Sequence, residues 1–462
     1  SPTGRCKSSR SDGAIAADGS IRTGDAMTEQ PGTPGGAPDI DIDAIVGSAR
    51  SARDADSRRR ARAAMGVSVG VTVVWLVWVV AAGLWGRVVD NWGSGVTMIF
   101  GSFVAGATPQ GGGAVAFPVF TKGLEVPSEV ARSFSLCIQM VGMGCASAAI
   151  LIRRRRFDLN AFRIVLPVAV VGFLLGYYLL SDRNEPFAPS ILPGPYVKVG
   201  FTLLTAAMAY VTFLGYRVHA LQVRPRVTRF SGRYIGTLIT CGLLGGLASS
   251  QVGSGADVLV YLALVVLAGL SPGVGVPTSV LVMTSVSIIG FVLVGIIDGH
   301  LFVELDALGD VVAVGGDAIR SGTSGAEFGT GVGLEAGRYD LFGLWIAAVP
   351  VVAWGGPLGS LVSSKLSDRK LVVFVVILAL AEVATTIIFL SDLRSDMALL
   401  AFAIIGMVTL FTALGWLQRN RVRILQLDPV SGATTLTRTG LDFGPKYTEQ
   451  LGDSDSNGDN DS

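Results

Sequence analysis

Two glycine-rich stretches decide the fold: GATPQGGGAVAFP at 106–118 and GGLASSQVGSGADVLV at 245–260. Each interrupts an apolar tract, 96–120 in the first case and 234–270 in the second. The first tract has about 12 residues on either side of its break, and at about 1.5 Å per residue each side reaches roughly half a bilayer. Backbone that leaves helical geometry inside lipid must line a cavity or be buried in protein. We therefore predict two broken hairpins within a membrane protein. The second tract has longer arms, and its alternative is a pair of short spans, which leaves the topology unchanged.

The composition of the whole chain agrees with a membrane location. Of its 462 residues, 50% are hydrophobic and 15% charged, and the formal net charge is +1. Soluble domains carry about 25% charged residues, so the composition excludes a nucleic-acid-binding domain, a disulfide scaffold and a disordered polymer. The sequence predicts an all-α polytopic membrane protein with about eight full spans besides the two hairpins. The predicted spans are 67–86, 131–152, 161–180, 197–216, 276–297, 339–362, 371–391 and 397–417.

The distribution of basic residues predicts the topology, because cytoplasmic flanks collect Lys and Arg. One set of flanks and connections holds 21 basic residues, including Arg153–Arg156 and the loop 218–233, whereas the opposite set holds 6. This separation requires each broken tract to return to the side from which it came. We predict that 218–233 is a basic cytoplasmic loop, that 298–338 is an acidic extracellular loop, and that both termini are cytoplasmic in the cell membrane.

The order of the spans and hairpins also predicts an inverted repeat. The first hairpin enters from outside and the second, three spans later, enters from inside, so the two halves have opposite orientation. The first repeat is 65–217, the second comprises 234–297 and 339–420, and the tails 1–64 and 421–462 are predicted to be disordered. Broken helices at matching positions of inverted halves indicate a transport site near the middle of the membrane.

The two breaks carry the candidate binding groups. Glycine at a break allows positive φ and a close approach of a ligand to the backbone, and helix ends that meet there can bind an anion. Polar side chains in the same stretches complete a hydrogen-bonding cage. The alternative is that the glycines only permit tight helix packing. The candidate substrate-binding residues are Thr108, Gln110, Gly111, Gly112, Gly113, Ser249, Ser250, Gln251, Gly253, Ser254 and Gly255.

Both stretches, together with the helices that follow them, resemble the two repeats of the sulfite exporter TauE/SafE family. The helix sequences are SLCIQMVGMG at 135–144 and VPTSVLVMTSVSIIG at 276–290. The resemblance implies a membrane transporter of sulfite, sulfoacetate and related anions. Ser250 and Ser254 stand where glycine is common in the family. The residues that match the family patterns are Gly111–Gly113 and Pro118 in the first repeat and Gly246, Ser249, Gly253, Gly255, Thr278 and Ser279 in the second, which adds Thr278 and Ser279 to the substrate-binding candidates.

Three charged residues in or beside the spans are further candidates. Glu382 lies near the centre of 371–391, where a carboxylate is costly unless it faces the bundle interior; it relays protons or holds Na⁺, or it is a protonated group bonded to nearby hydroxyls. Asp257 follows the second break and is the other ion-coupling candidate, with capping of the next helix as its alternative role. Arg132 either attracts anions near the first hairpin or snorkels to the interface.

These features predict a secondary transporter of small sulfur-containing or organic anions that works by alternating access. The alternatives are a passive anion channel and a cation or proton antiporter that uses Asp257 and Glu382. The expected partners are a small anion, the lipid bilayer and either H⁺ or Na⁺, and no nucleic acid. We predict no cofactor, no metal site and no enzymatic activity, because the sequence has two histidines, no CxxC pair and no Walker motif.

Overall fold

The computed structural model describes residues 42–109, 111–112, 119–123, 126, 128–182, 190–218, 222–223, 231–305, 311–314, 334–335, 338–390, 392–420 and 434–435. Within them, nine helices are long and apolar enough to cross a membrane. Each of the eight predicted full spans coincides with one of the nine. The ninth is Gly232–Val252, the first arm of the second broken tract. The protein is therefore an all-α, multi-pass membrane protein, as predicted.

Helices account for most of the described chain. They are α1 (Ile42–Ala81), α2 (Trp85–Asp90), α3 (Trp92–Ala107), α4 (Ser128–Ile152), α5 (Leu159–Leu179), α6 (Gly194–Val218), α7 (Gly232–Val252), α8 (Ala256–Tyr261), α9 (Pro272–Gly290), α10 (Leu341–Lys365), α11 (Asp368–Phe389), α12 (Asp392–Ser395) and α13 (Met397–Arg419). The described chain also has three π-helical segments and one 3₁₀ turn. The π-helical segments are Val119–Gly123, Leu262–Leu267 after α8 and Phe291–Ile297 after α9, and the 3₁₀ turn is His300–Phe302.

Short strands occur in the connections. They are β1 (Gln222–Val223), β2 (Val303–Leu305), β3 (Val311–Val314), β4 (Leu334–Glu335), β5 (Arg338–Asp340) and β6 (Thr434–Thr435). Strands β2 to β5 form an antiparallel sheet in the order β3-β2-β5-β4, where the sequence predicted a loop. β1 pairs with β6, Gln222 opposite Thr435. β6 lies in the carboxyl-terminal tail, whose disorder stays a prediction.

The amino-terminal tail also differs from its prediction. α1 begins at Ile42, so residues 42–64 are helical rather than disordered. Alanine and arginine, which are frequent between 49 and 64, have high helix propensity. Arg60 and Asp56, one turn apart, form an ion pair at 2.6 Å that further stabilises this helix. The prediction for residues 1–41 lies outside the described residues.

The leading arms of both broken tracts are longer than half a bilayer. The helix before the first break, α3, has 16 residues and rises about 24 Å. The helix before the second, α7, has 21 residues and rises about 32 Å. The prediction of 12-residue arms is wrong for α3 because the helix begins at Trp92, and the small residues Gly93, Ser94 and Gly95 do not register as an apolar run. The return arm after the second break is short, since α8 and its π-helical extension have 6 residues each.

The two predicted halves exchange helices across glycine-rich seams. In one seam α3 packs against α10, and a Cβ on Gly106 would overlap the carbonyl oxygen of Gly356. In the other, α7 packs against α5, and a Cβ on Gly246 would overlap the carbonyl oxygen of Ala169. Small residues let membrane helices approach this closely. Thus each leading arm packs on the half to which it does not belong.

Between the seams, α4 and α9 cross near their middles. Thr284 on α9 donates a hydrogen bond to the carbonyl of Met143 on α4 at 3.0 Å, and its hydroxyl lies 2.7 Å from that of Ser147. These are buried polar contacts between the two predicted repeats. The contact between α4 and α9 therefore joins the two predicted repeats.

Three contacts join residues at helix ends that the charge pattern assigns to the same side of the membrane. On the predicted outer side, Arg87 pairs with Asp340 at 2.5 Å, and the Tyr177 hydroxyl donates to Asp298 at 2.5 Å. On the predicted inner side, Arg155 donates to the carbonyl of Ser360 at 3.0 Å. Burial lowers the pKa of Arg155 to about 10, so it is still charged at neutral pH. The assignment of this inner side to the cytoplasm stays a prediction.

Candidate transport site at the two helix breaks

The second break is a three-residue turn between α7 and α8. α7 ends at Val252, and α8 begins at Ala256. The two glycines between them, Gly253 and Gly255, have φ of 84° and 143°. Residues with a Cβ are strongly disfavoured in this half of conformational space. The turn therefore depends on glycine at both positions.

The first break begins at the end of α3. Thr108 caps this helix and its hydroxyl donates to the carbonyl of Val104 at 2.9 Å. Gly111 has φ of 67°, and Gly112 folds back so that its Cα lies beside α3 near Ala105. The predicted site residues Gln110 and Gly113, and Pro118 of the family pattern, lie outside the described residues.

The two breaks meet at Gly111. A Cβ built on Gly111 would lie 2.5 Å from the Oδ2 atom of Asp257 and 3.5 Å from the Oε1 atom of Gln139. Both side chains are buried, with Asp257 0% and Gln139 2% exposed. Only a hydrogen atom on Gly111 fits against the carboxylate. The backbone of one break thus touches the carboxylate that follows the other.

Gln139, on α4, joins both breaks and was missed by the sequence reasoning. Its Nε2 donates to the carbonyl of Gly253 at 2.9 Å and to the Ser135 hydroxyl at 2.7 Å. Because these acceptors fix the amide nitrogen, Oε1 faces Gly111 on the other side. The available signal was a single amide in the apolar run SLCIQMVGMG, since a polar side chain within a span faces protein by default.

Asp257 combines a structural contact with a free oxygen. Its Oδ1 accepts hydrogen bonds from the backbone N–H of Gly255 at 3.3 Å and of Val258 at 3.0 Å, which is the helix-capping role considered as an alternative. Its Oδ2 has no hydrogen-bond partner among the described residues, and the same holds for Gln139 Oε1 and Ser254 Oγ. The meeting point of the breaks therefore contains two buried oxygens, Asp257 Oδ2 and Gln139 Oε1, without a described partner.

A second polar cluster lies beside the end of α7. Gln251 donates to the carbonyl of Gly176 at 3.0 Å and to the Ser250 hydroxyl at 3.0 Å. Arg132 is only 1% exposed and its Nη1 lies 3.4 Å from the Ser181 hydroxyl. A snorkelling position at the lipid interface is therefore wrong for Arg132. A Cβ on Gly253 would lie 2.7 Å from the Arg132 carbonyl oxygen, so this arginine belongs to the helix that supports the second break.

Ser249 connects the two arms of the second break. Its hydroxyl accepts a hydrogen bond from the backbone N–H of Ala256, the first residue of α8, at 2.9 Å. It is fully buried on the last turn of α7. This bond satisfies one of the amides that a helix start leaves open. Ser249 therefore holds the break in shape through its side chain.

Other predicted site residues lie in different surroundings. Thr278 donates to the carbonyl of Val274 and accepts from the backbone N–H of Asp158 at 2.9 Å. Ser279 donates to the carbonyl of Val276 in its own helix. Glu382 accepts a hydrogen bond from Thr202 at 3.0 Å, which joins α11 to α6. The described contacts of these three residues are structural ones within a helix or between helices.

Among the described residues, nine helices are long and apolar enough to cross a membrane, and two broken helices meet at a buried polar point. These features define a multi-pass membrane protein. The sulfite exporter TauE/SafE family model matches residues 94–386, more than half of the chain. The chain therefore belongs to this family of membrane transporters. The match begins in α3 and ends in α11, so it contains both breaks and leaves α1 and α13 outside. No curated protein and no solved structure matches the chain.

Proposed function

We propose that the protein is a secondary transporter that moves small anions of the sulfite or sulfonate type across the cell membrane. The observation that carries this proposal is the meeting of the two breaks, with Gly111 of one against Asp257 of the other. A site built from both halves is accessible from either side when the halves move relative to one another. The exchange of α3 and α7 between the halves supports such a mechanism and the inverted repeat that it requires.

The anion is proposed to bind on the side of the second break. Hydroxyl and amide groups of Ser250, Gln251 and Ser254 lie there, and the guanidinium of Arg132 is buried next to them. A buried arginine is a strong partner for a carboxylate, sulfite or sulfonate oxygen. Gly111 and Gly112 of the first break would close the site on the other side. Together these groups supply donors for an anion within the membrane.

The test is a flux screen in proteoliposomes with sulfite, thiosulfate, sulfoacetate, taurine and simple carboxylates, each with and without a pH or Na⁺ gradient. We expect saturable uptake of at least one sulfur-containing anion and its loss in the variants Gly112→Leu and Gly253→Leu. Transport of that anion at the wild-type rate by both variants would show that the breaks are not the site. Flux that does not saturate would favour a passive channel.

A second candidate function is a cation antiporter, because the carboxylate of Asp257 lies at the meeting point of the breaks. In that case neutralising Asp257 or Glu382 would abolish cation exchange, and no anion in the screen would be transported. Anion uptake that persists in a potassium-free and sodium-free buffer at a single pH would contradict the antiporter.

The proposed topology places both termini and Arg153–Arg156 in the cytoplasm and the strands β2 to β5 outside. The test replaces the native cysteines and introduces a single cysteine at Arg154 or at Val312. In intact cells a membrane-impermeant maleimide should label position 312 and should not label position 154. Labelling of position 154 from outside would overturn both the re-entrant path of the first tract and the inverted repeat.

A further inference from the structure

We infer that Asp257 Oδ2 and Gln139 Oε1 together bind a sodium ion at the meeting point of the two breaks. Both atoms face the same side of Gly111, at 2.5 Å and 3.5 Å from the position of a Cβ built there. The inference adds Gln139 to the site and assigns a ligand class, an alkali cation. It rests on the proposed function only in the claim that this ion accompanies the transported anion.

The orientation of the two side chains leaves only acceptor atoms at this point. The nitrogen of Gln139 is held by the Gly253 carbonyl and the Ser135 hydroxyl, and Oδ1 of Asp257 is held by two backbone amides. Their remaining oxygens have no hydrogen-bond partner among the described residues. Burying two acceptors without a partner is costly. One cation bound between them satisfies both.

The helix ends around this point add negative potential. Both leading arms, α3 and α7, have their carboxyl ends at the breaks. The carboxyl end of a helix carries partial negative charge from its free carbonyl groups. Such carbonyls at the unwound part of a broken helix coordinate Na⁺ in secondary transporters. The backbone at the breaks is therefore suited to supply the ligands that two side chains alone do not.

The charge count favours a monovalent ion. Asp257 is the single carboxylate at the meeting point, and among the described residues no group of three or more His, Cys, Asp or Glu side chains is placed to hold a metal ion. Divalent cations are usually bound by several carboxylates or imidazoles. An ion of charge +1 neutralises Asp257, and an anion can then approach the second break without repulsion from that carboxylate. Anion transport would thereby depend on Na⁺.

The direct test is binding of ²²Na⁺ to the purified protein in detergent, without any anion. We expect saturable binding to the wild type and an apparent affinity weaker by more than about tenfold in Asp257→Asn and in Gln139→Leu. The matched control for the amide is Gln418→Leu, a buried glutamine on α13. The control for the carboxylate is Asp396→Asn, which retains the cap of α13. Both controls should bind ²²Na⁺ like the wild type.

A lack of saturable ²²Na⁺ binding to the wild type, or wild-type affinity in Gln139→Leu, would overturn the inference. Monodispersity in size-exclusion chromatography shows whether each variant is folded. Should Asp257→Asn aggregate, Gln139→Leu and Gln139→Glu decide the question, because Glu keeps an oxygen ligand and should retain binding whereas Leu should not.

The anion flux separates this inference from the proposed function. In proteoliposomes, replacement of Na⁺ by choline should reduce the initial rate of anion uptake by more than about tenfold. Unchanged uptake in choline, or uptake driven by a pH gradient without Na⁺, would overturn the sodium site and leave the anion transporter in place. Intact ²²Na⁺ binding without transport of any anion would overturn the transporter and leave the sodium site in place.

Discussion

The two breaks are similar in backbone and different in chemistry. Each ends a long leading helix, and each turns at a glycine with positive φ, Gly111 in the first and Gly253 in the second. The second break also carries Asp257 and the bridging hydroxyl of Ser249. Among its described residues, the first break contributes a close backbone approach at Gly111 instead. The comparison teaches that one break supplies charged and polar groups and the other supplies the space into which they fit.

The seams that hold the two leading helices should give the largest effects. In Gly106→Leu and Gly246→Leu the new side chain overlaps a backbone carbonyl of the facing helix, Gly356 or Ala169. Backbone cannot yield as a flexible side chain does, so each variant should lose about 3 kcal/mol or more of stability. The measurement is the yield of monodisperse protein and its Tm.

The control for this comparison is Gly70→Leu on α1, where a Cβ would meet nothing within 4 Å. It should express and melt like the wild type. If Gly106→Leu were tolerated while Gly246→Leu was not, the two seams would not be equivalent. The argument for an inverted repeat from helix exchange would then fail.

The next largest effect is expected at Gly111 itself. Gly111→Ala puts a methyl group 2.5 Å from Asp257 Oδ2 and forces alanine to φ of 67°. Strain of this kind costs about 1–3 kcal/mol. We expect a folded protein whose initial rate of anion uptake falls by more than about tenfold.

Gly112→Ala provides the matched comparison for Gly111→Ala. A Cβ on Gly112 would lie 3.4 Å from its nearest neighbours, Ala105 Cβ and the Gly101 carbonyl oxygen. This is ordinary contact, so the loss of uptake should be clearly smaller than in Gly111→Ala. Equal losses in the two variants would indicate that the break needs glycine for flexibility and not for the contact with Asp257.

Much of the fold could be predicted from the sequence because its signals are local. Apolar runs of bilayer length identified eight of the nine membrane-length helices in the described part of the chain, and the glycine clusters located both breaks. The length of α3 could not be predicted, since Gly93 to Gly95 are weakly apolar and become part of a helix only through packing on α10. The Asp340–Arg87 pair illustrates the same limit, because its two residues are far apart in the chain.

The site was predicted less completely, because contacts between helices are tertiary properties. The sequence pointed to Asp257 from its position next to Gly255. It did not point to Gln139, since nothing in a single helix indicates that its amide reaches the Gly253 carbonyl. Thr278 and Ser279 were included through the family patterns, and both donate hydrogen bonds to carbonyls of their own helix. For Arg132 the sequence left two roles open, attraction of anions near the first hairpin and snorkelling to the interface, because arginines near the end of a span often snorkel.

The smallest effect concerns hydroxyl groups on the two leading helices. Ser249 accepts a hydrogen bond from Ala256 across the second break, whereas Ser102 on α3 donates to the Met98 carbonyl within its own helix at 2.6 Å. Ser249→Ala leaves a buried amide at the start of α8 without this acceptor and should cost about 1–2 kcal/mol. Ser102→Ala removes only a bond to a carbonyl that is already part of the helix and should cost less than about 0.5 kcal/mol. Differential scanning calorimetry of both variants measures the difference. Equal and small losses would mean that glycine geometry alone shapes the second break, and the contrast between the two breaks would then be confined to Asp257.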